Sequence, residues 1–288
     1  MTLLQHALQG GLAPTRPDGP AAAARRVLVL GAGGPLGSAV MEQLLGSSSW
    51  AGVATLVTQP MAVALRGMEA WPVAEGFLDA TPQLPWAPDS AVLVFDRERG
   101  AHLAVAARAG AARRGRPARP AREAALWRPD PATLTALGRW LRAAGVRQLL
   151  VVLPHAPGLL PQALRAGLAT LDEAALAALG FEHLVFVRPA RDGGSTAAAG
   201  SALQRLGQNL LRQMQWMVPQ RQQALRPARV AAFVAALARA LPQVPPGTRV
   251  VAPELLWDWA QPGGGAPVLD AWLHGRTLPP VAAGARRW

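Results

Sequence analysis

The chain has no cysteine, no tyrosine and no lysine among its 288 residues. Without cysteine it can form no disulfide, carry no thiolate nucleophile and offer no sulfur ligand to zinc or an iron–sulfur cluster. Without lysine, all 29 basic side chains are arginines. Together with abundant Ala, Pro and Gly this bears the stamp of GC-rich coding, so the net charge of +12 has two readings. One is a polyanionic partner; the other is arginine used wherever a solvated cation is tolerated. Charged residues are scarce, at 16%. No uninterrupted apolar run reaches the length that spans a bilayer. The first residues lack the basic and apolar blocks of an export signal, so a soluble, cytoplasmic protein is the expectation. The five histidines show no metal-ligand spacing.

What is present is apolar and alternating. Hydrophobic residues make up 51% of the chain, enough for one sizeable core. Residues 1–24, rich in Gly, Pro and Ala, read as a disordered arm. A short apolar run from Arg26 to Leu30 suits a strand buried on both faces. The following helix carries Leu36, Ala39, Val40 and Leu44 on one face. Further strands are expected at 53–57, 68–73, 91–95, 146–153, 184–187 and 249–251. Helices are expected at about 102–109, from Asp130-Pro131 to Gly145, along Leu168, Leu171, Ala175 and Leu179, and at 201–217, 228–241 and 253–260. Asp130 supplies an N-cap and Pro131 the first helical position. Strands alternating with helices imply a doubly wound α/β fold with a mainly parallel sheet. The domain is expected to span 25–261, with residues 262–288 as a tail holding a short helix near 269–273.

The informative motif is Gly31-Ala32-Gly33-Gly34-Pro35-Leu36-Gly37, set between a buried strand and an amphipathic helix. There the first glycine permits the tight turn, the middle ones let backbone approach a pyrophosphate, and the last lets the helix pack on the sheet. The helix N-terminus then offers free N–H groups and a positive dipole end to phosphate. This strand–turn–helix setting points to dinucleotide binding, against the plainer reading of a turn kept for packing alone.

The segment RRVLVLGAGGPLGSAVMEQLL resembles the start of the atypical or extended short-chain dehydrogenases/reductases, the NmrA-like NAD(P)-binding group. LRAAGVRQLLVVLP and LGFEHLVFVRPA resemble the family's fifth and sixth strands, and RPARVAAFVAALARAL with TRVVAPELLWDWA its closing elements. The resemblance covers about residues 25–260. It implies a seven-stranded parallel Rossmann sheet with NAD(P) across the C-terminal strand edges. It also implies an Arg-Pro turn beside the nicotinamide, here Arg188-Pro189-Ala190. Family enzymes use a Ser or Thr with Tyr-x-x-x-Lys, whose phenol donates the proton. This chain has neither Tyr nor Lys; Arg165 and Ala169 fall at the approximate equivalents, and Val152-Leu153-Pro154-His155 stands where the Ser or Thr belongs. The family's usual mechanism is therefore excluded, and a cofactor sensor or scaffold is the leading expectation.

His155, after the fifth strand, is the one candidate for a relocated acid; its plainer reading is a loop histidine. Asp96, Arg97 and Glu98, after Phe95, either line the pocket or cap the next helix. The expected cofactor contacts are Gly31 to Gly37, Thr58, Gln59, Arg66, Phe95, Asp96, Leu153, Pro154 and Pro189. NAD-specific domains place a carboxylate at the end of the second strand, and none occurs between Ala51 and Met68. Thr58 and Gln59 can donate to a 2′-phosphate, and Arg66 adds a charge-assisted bond if its helix points that way. NADP is favoured over NAD on that account. Other expected partners are an unspecified protein, but no membrane.

The stretch 108–122 holds six arginines, Arg108, Arg113, Arg114, Arg116, Arg119 and Arg122, among Gly, Pro and Ala. It offers a third class of function, binding of nucleic acid or an acidic partner. It has no aromatic to stack on bases. DNA binding is therefore expected to be weak, independent of sequence and lost as salt rises. Fluorescence anisotropy with unrelated duplexes at low and high salt checks this; tight binding that survives high salt contradicts it.

Overall fold

The computed structural model describes residues 25–61, 65–96, 125–155, 167–190, 221 and 223–281. The arginine-rich stretch and the helices expected at 102–109 and 201–217 lie outside them. Seven strands form one sheet: β1 (Arg25–Leu30), β2 (Trp50–Val57), β3 (Met68–Pro72), β4 (Ser90–Val94), β5 (Gln148–Val152), β6 (His183–Val187) and β7 (Gly247–Val251). Their order is β3-β2-β1-β4-β5-β6-β7, and every neighbouring pair is parallel. This is the doubly wound Rossmann topology. The strand order reverses direction between β1 and β4, and a ligand crevice opens at such a switch point, outside the C-terminal strand ends.

Continuous apolar strands need cover on both faces, and the helices supply it. Val27, Val29, Val92 and Val94 face one layer, built from α1 (Pro35–Leu45), α4 (Pro227–Ala240), α5 (Pro253–Ala260) and α6 (Ala266–Leu273). Leu28, Leu30, Leu93 and Phe186 face the other, built from α2 (Leu134–Ala143), α3 (Leu171–Ala177) and a 3-10 turn at Phe77–Asp79. In α2 the core stripe is Leu134, Leu137, Trp140 and Leu141. As the sequence indicates, Asp130 accepts from the Ala132 N–H at 3.0 Å, though the turn it caps, Pro131–Thr133, is 3-10 before α2 proper begins. Gly145, at φ +91°, ends the unit.

Two expectations change. Leu171 does not line the core; it is 89% exposed. Thr170 caps α3, so Leu171 is its first residue, and the inward face runs through Glu173 and Leu176 instead. The segment after residue 261 is more than a tail bearing a short helix: α6 sets Val268, Leu269 and Leu273 into the same core as β1 and α1. Among the described residues no helix is long and apolar enough to cross a membrane.

Polar side chains gather at the opposite, N-terminal sheet edge. Gln148 Oε1 accepts from Arg25 at 3.0 Å and from Ser90 at 3.2 Å. His183 beside them is almost fully buried, and its Nδ1 has no hydrogen-bond partner among the described residues. Burial pushes its pKa down, the charges of Arg249 and Arg25 push the same way, and Glu182 opposes them. The fold therefore holds His183 neutral. Below the ordinary value of 6.5 the unfolded chain takes up the proton first, so stability is full above that pH and falls as pH drops through it toward the lowered native value. The melting temperature is expected to fall on acidification from neutral pH, and His183→Gln to flatten that slope. Equal slopes in parent and variant contradict the assignment.

Candidate functional site

The switch point is built from backbone. β1 delivers Gly31 at φ +83°, a left-handed turn that suits glycine. A Cβ there would fall on the Val94 carbonyl of β4, with the Pro129 ring 3.1 Å away. A Cβ on Gly37 would fall on the carbonyl of Gly31. The first and last glycines of the motif are therefore required by the loop's own packing. Ser38 locks the turn, its N–H donating to Gly34 O at 2.8 Å and its hydroxyl to Ala32 O at 3.0 Å.

Gly34 differs in kind. It is the N-cap of α1 and has no side chain to cap with, and Pro35 follows at the first helical position. The cap comes from a distant strand: the Leu36 N–H donates to Asp96 Oδ2 at 2.6 Å, and a Cβ on Gly34 would strike the same carboxylate. Asp96 thus caps α1 from just past the end of β4; the helix expected after it lies outside the described residues. Asp96 sits at the positive end of α1, the position where an anion is stabilised by dipole and free N–H groups together.

A second piece of chain reaches the crevice from Ala125 to Pro129. The Thr58 N–H donates to Ala125 O at 2.8 Å, and the Thr58 hydroxyl to the same oxygen at 3.3 Å. The Trp127 N–H donates to Leu56 O at 2.9 Å, and Leu126 bridges antiparallel to Val57. β3 pairs with β2 as far as Val57 and Pro72 on one side. The strap takes the other side, beyond the end of β1. Its sequence, Ala-Leu-Trp-Arg-Pro, shows only a short apolar run ahead of the Asp130 cap, which is why sequence reasoning passed over it.

Phe95, Leu153, Pro154, His155 and Pro189 fall on the same C-terminal edge. The Phe95 N–H donates to Val152 O at 3.0 Å, the Leu153 N–H to Val187 O at 2.9 Å and the His155 N–H to Pro189 O at 3.1 Å. These bonds carry the sheet past β5 and β6 and set Pro154 and His155 beside Pro189 and Ala190. Gln59 is exposed past the end of β2. Arg66 is misplaced for the role expected of it. It precedes Met68, which pairs with Val53, so it lies more than five strand residues, roughly 16 Å, from Thr58 at the far edge of the sheet. The connection returns Arg66 to the start of β3 instead of holding it near the end of β2.

Arg188, just past the end of β6, reaches α3. It is fully buried, and its guanidinium meets Glu173 Oε2 at 2.7 Å. The same oxygen accepts the Ala169 N–H at 2.6 Å, while Thr170 Oγ1 accepts the Glu173 N–H at 3.2 Å. Thr170-Leu171-Asp172-Glu173 thus matches the Thr-x-x-Glu capping pattern, with the carboxylate reaching one residue further back than usual and to Arg188, just past β6. That pattern was readable in the sequence. The described residues hold no cluster of three or more His, Asp or Glu suited to a metal ion.

These residues fit a dinucleotide in backbone geometry. The glycine turn, the helix N-terminus and the end of β2 are where the pyrophosphate and ribose would go. Two of those positions are held by Asp96 and by the strap. No family model matches the chain, and no curated protein does. Among solved structures it is similar to a Rossmann-fold NAD(P)-binding family protein from Shigella flexneri (16% identity over 79% of this chain and 92% of that one, TM-score 0.43). It is also similar to the Bordetella bronchiseptica enzyme WbmG in complex with NAD and UDP (18%, 92% and 84%, TM-score 0.43). A third is a short-chain dehydrogenase from Leptospira borgpetersenii with bound NAD+ (11%, 80% and 92%, TM-score 0.34). At these scores the likenesses say nothing of chemistry, and the fold stands on strand order and register.

The buried Glu173–Arg188 pair fixes α3 to the end of β6. Removing one partner strands a buried charge, at a cost of ~3–5 kcal/mol. Arg188→Met is expected to destabilise the protein by that order in urea unfolding, and Glu173→Gln with Arg188→Met to recover part of it. Additive single effects contradict direct coupling.

Proposed function

We propose that this chain binds NAD(P) across the β1/β4 switch point and does not carry out hydride transfer by the short-chain dehydrogenase route. Its role is that of a cofactor-responsive sensor or scaffold of the atypical, NmrA-like kind. The observation that carries the reading is the Gly31–Gly37 turn, which joins the central strand to α1 at the point where the sheet order reverses. The backbone of Gly33, Gly34 and Leu36 would meet the pyrophosphate. Thr58 and Gln59 would meet the adenosine ribose, and Phe95, Leu153, Pro154 and Pro189 the nicotinamide half. A bound dinucleotide supplies a hydride donor or acceptor. The chain supplies no phenol and no lysine to manage the proton that must accompany it.

One residue keeps a second reading in view. His155 lies at the end of β5 beside Pro189, on the edge where an imidazole could protonate an alkoxide. Cofactor choice now rests on Thr58 and Gln59 alone, since Arg66 is remote. The end of β2 offers no carboxylate to repel a 2′-phosphate, which favours NADP modestly.

Calorimetric titration and thermal shift are expected to show binding of NADPH, somewhat tighter than NADH. A ligand at about 100 times its Kd raises stability by ~2.7 kcal/mol. Common aldehydes and ketones are expected to give no turnover. If turnover occurs and His155→Ala abolishes it in a folded protein, the oxidoreductase reading replaces this one. Binding of neither dinucleotide, by the native chain or by Asp96→Asn, ends the cofactor role.

A further inference from the structure

We propose that the chain closes its own dinucleotide crevice: Asp96 stands in the pyrophosphate position and the strap Ala125–Pro129 in the ribose position, and binding requires both to leave. The inference rests on the dinucleotide reading above and adds a mode of regulation to it.

Two independent observations converge on it. The first is at α1. Phosphate groups are received there by free N–H groups in the first turn, and the Leu36 N–H is already given to the Asp96 carboxylate at 2.6 Å. A pyrophosphate and a carboxylate cannot share that donor, and as like charges they repel. The second is at β2. The ribose of a bound dinucleotide hydrogen-bonds at the end of the second strand. There the Thr58 N–H, the Thr58 hydroxyl and the Leu56 carbonyl are bonded to Ala125 and Trp127 instead. The strap is held by more than these bonds, because Leu126 is 3% exposed and packs with Val57 in the core. Gly31, Ala32 and Gly33 are buried, although they border the ligand edge.

The strap leads directly into the Asp130 cap and α2. Trp127 also stacks edge-on against Phe77, and Phe77 against Trp140 of α2, each at 5.2 Å between ring centres. Release of the strap therefore breaks an aromatic contact and loosens the entry to α2. Occupancy of the crevice would be reported on the face of the sheet that α2 covers. A closed majority state lowers apparent affinity by the fraction that is open.

The test is calorimetric titration of NADPH and NADH into the native chain, Asp96→Asn and Leu126→Ala, with hydrogen exchange at the Trp127 amide before and after loading. Asp96→Asn keeps an acceptor for Leu36 while removing the charge; thermal melts confirm that both variants fold. Both are expected to bind about tenfold or more tightly than the native chain, and loading is expected to speed exchange at Trp127. Native-level affinity in both variants, or slower exchange at Trp127 on loading, overturns the inference while leaving the cofactor reading in place, the strap then being a wall of the site. Binding by the variants but not by the native chain supports both. Binding by none overturns both.

Discussion

The turn from β1 into α1 depends on a close approach of backbone to backbone. The carbonyl of Val94 lies against Gly31, and the carbonyl of Gly31 lies against Gly37. No side chain fits at either place, so the central strand, its neighbour and the first helix meet without spacing atoms. That contact sets the height at which α1 begins and aims its N-terminus over the switch point. It also brings Asp96, two residues past β4, within reach of the Leu36 N–H. The capping carboxylate is thus a consequence of the same close packing that makes the site.

The buried polar groups divide by edge. At the C-terminal edge Glu173 pairs with Arg188 and caps the start of α3, which docks that helix at the end of β6. At the N-terminal edge Arg25, Ser90 and Gln148 form a bonded group beside His183, which burial keeps neutral. Paired charges tolerate a dry environment where single ones do not: Glu173 and Arg188 meet that condition by pairing, and His183 by staying neutral. Among the described residues, Asp96 is the charged side chain bonded to the first turn of α1.

The parts of the site legible in the sequence were those that repeat locally. A buried apolar run, a glycine turn and a helical stripe each follow from the period of one element, and all three lie where the sequence placed them. Thr58, Phe95, Leu153 and Pro189 stand at the C-terminal strand ends, because strand ends can be counted from the alternation. Arg66 was misjudged for a reason of connectivity: the chain leaving β2 returns along β3, so distance in sequence from Thr58 carried it to the opposite edge. Leu171 was misjudged because the Thr170 cap sets the start of α3 and with it the phase of its buried face.

The sequence by itself determined the alternation of strands and helices, the turn at Gly31 to Gly37, and the absence of any phenol or lysine to run the familiar proton transfer. Those depend on residue type and on periods of two and 3.6, which need no partner from elsewhere in the chain. Only the tertiary structure decided that Asp96 caps α1, that Leu126 crosses the end of β2, and that Arg188 turns inward to Glu173. Each joins residues separated by 60, 69 and 15 positions respectively. Such pairings arise from the order in which the sheet assembles its strands, and no local pattern encodes that order.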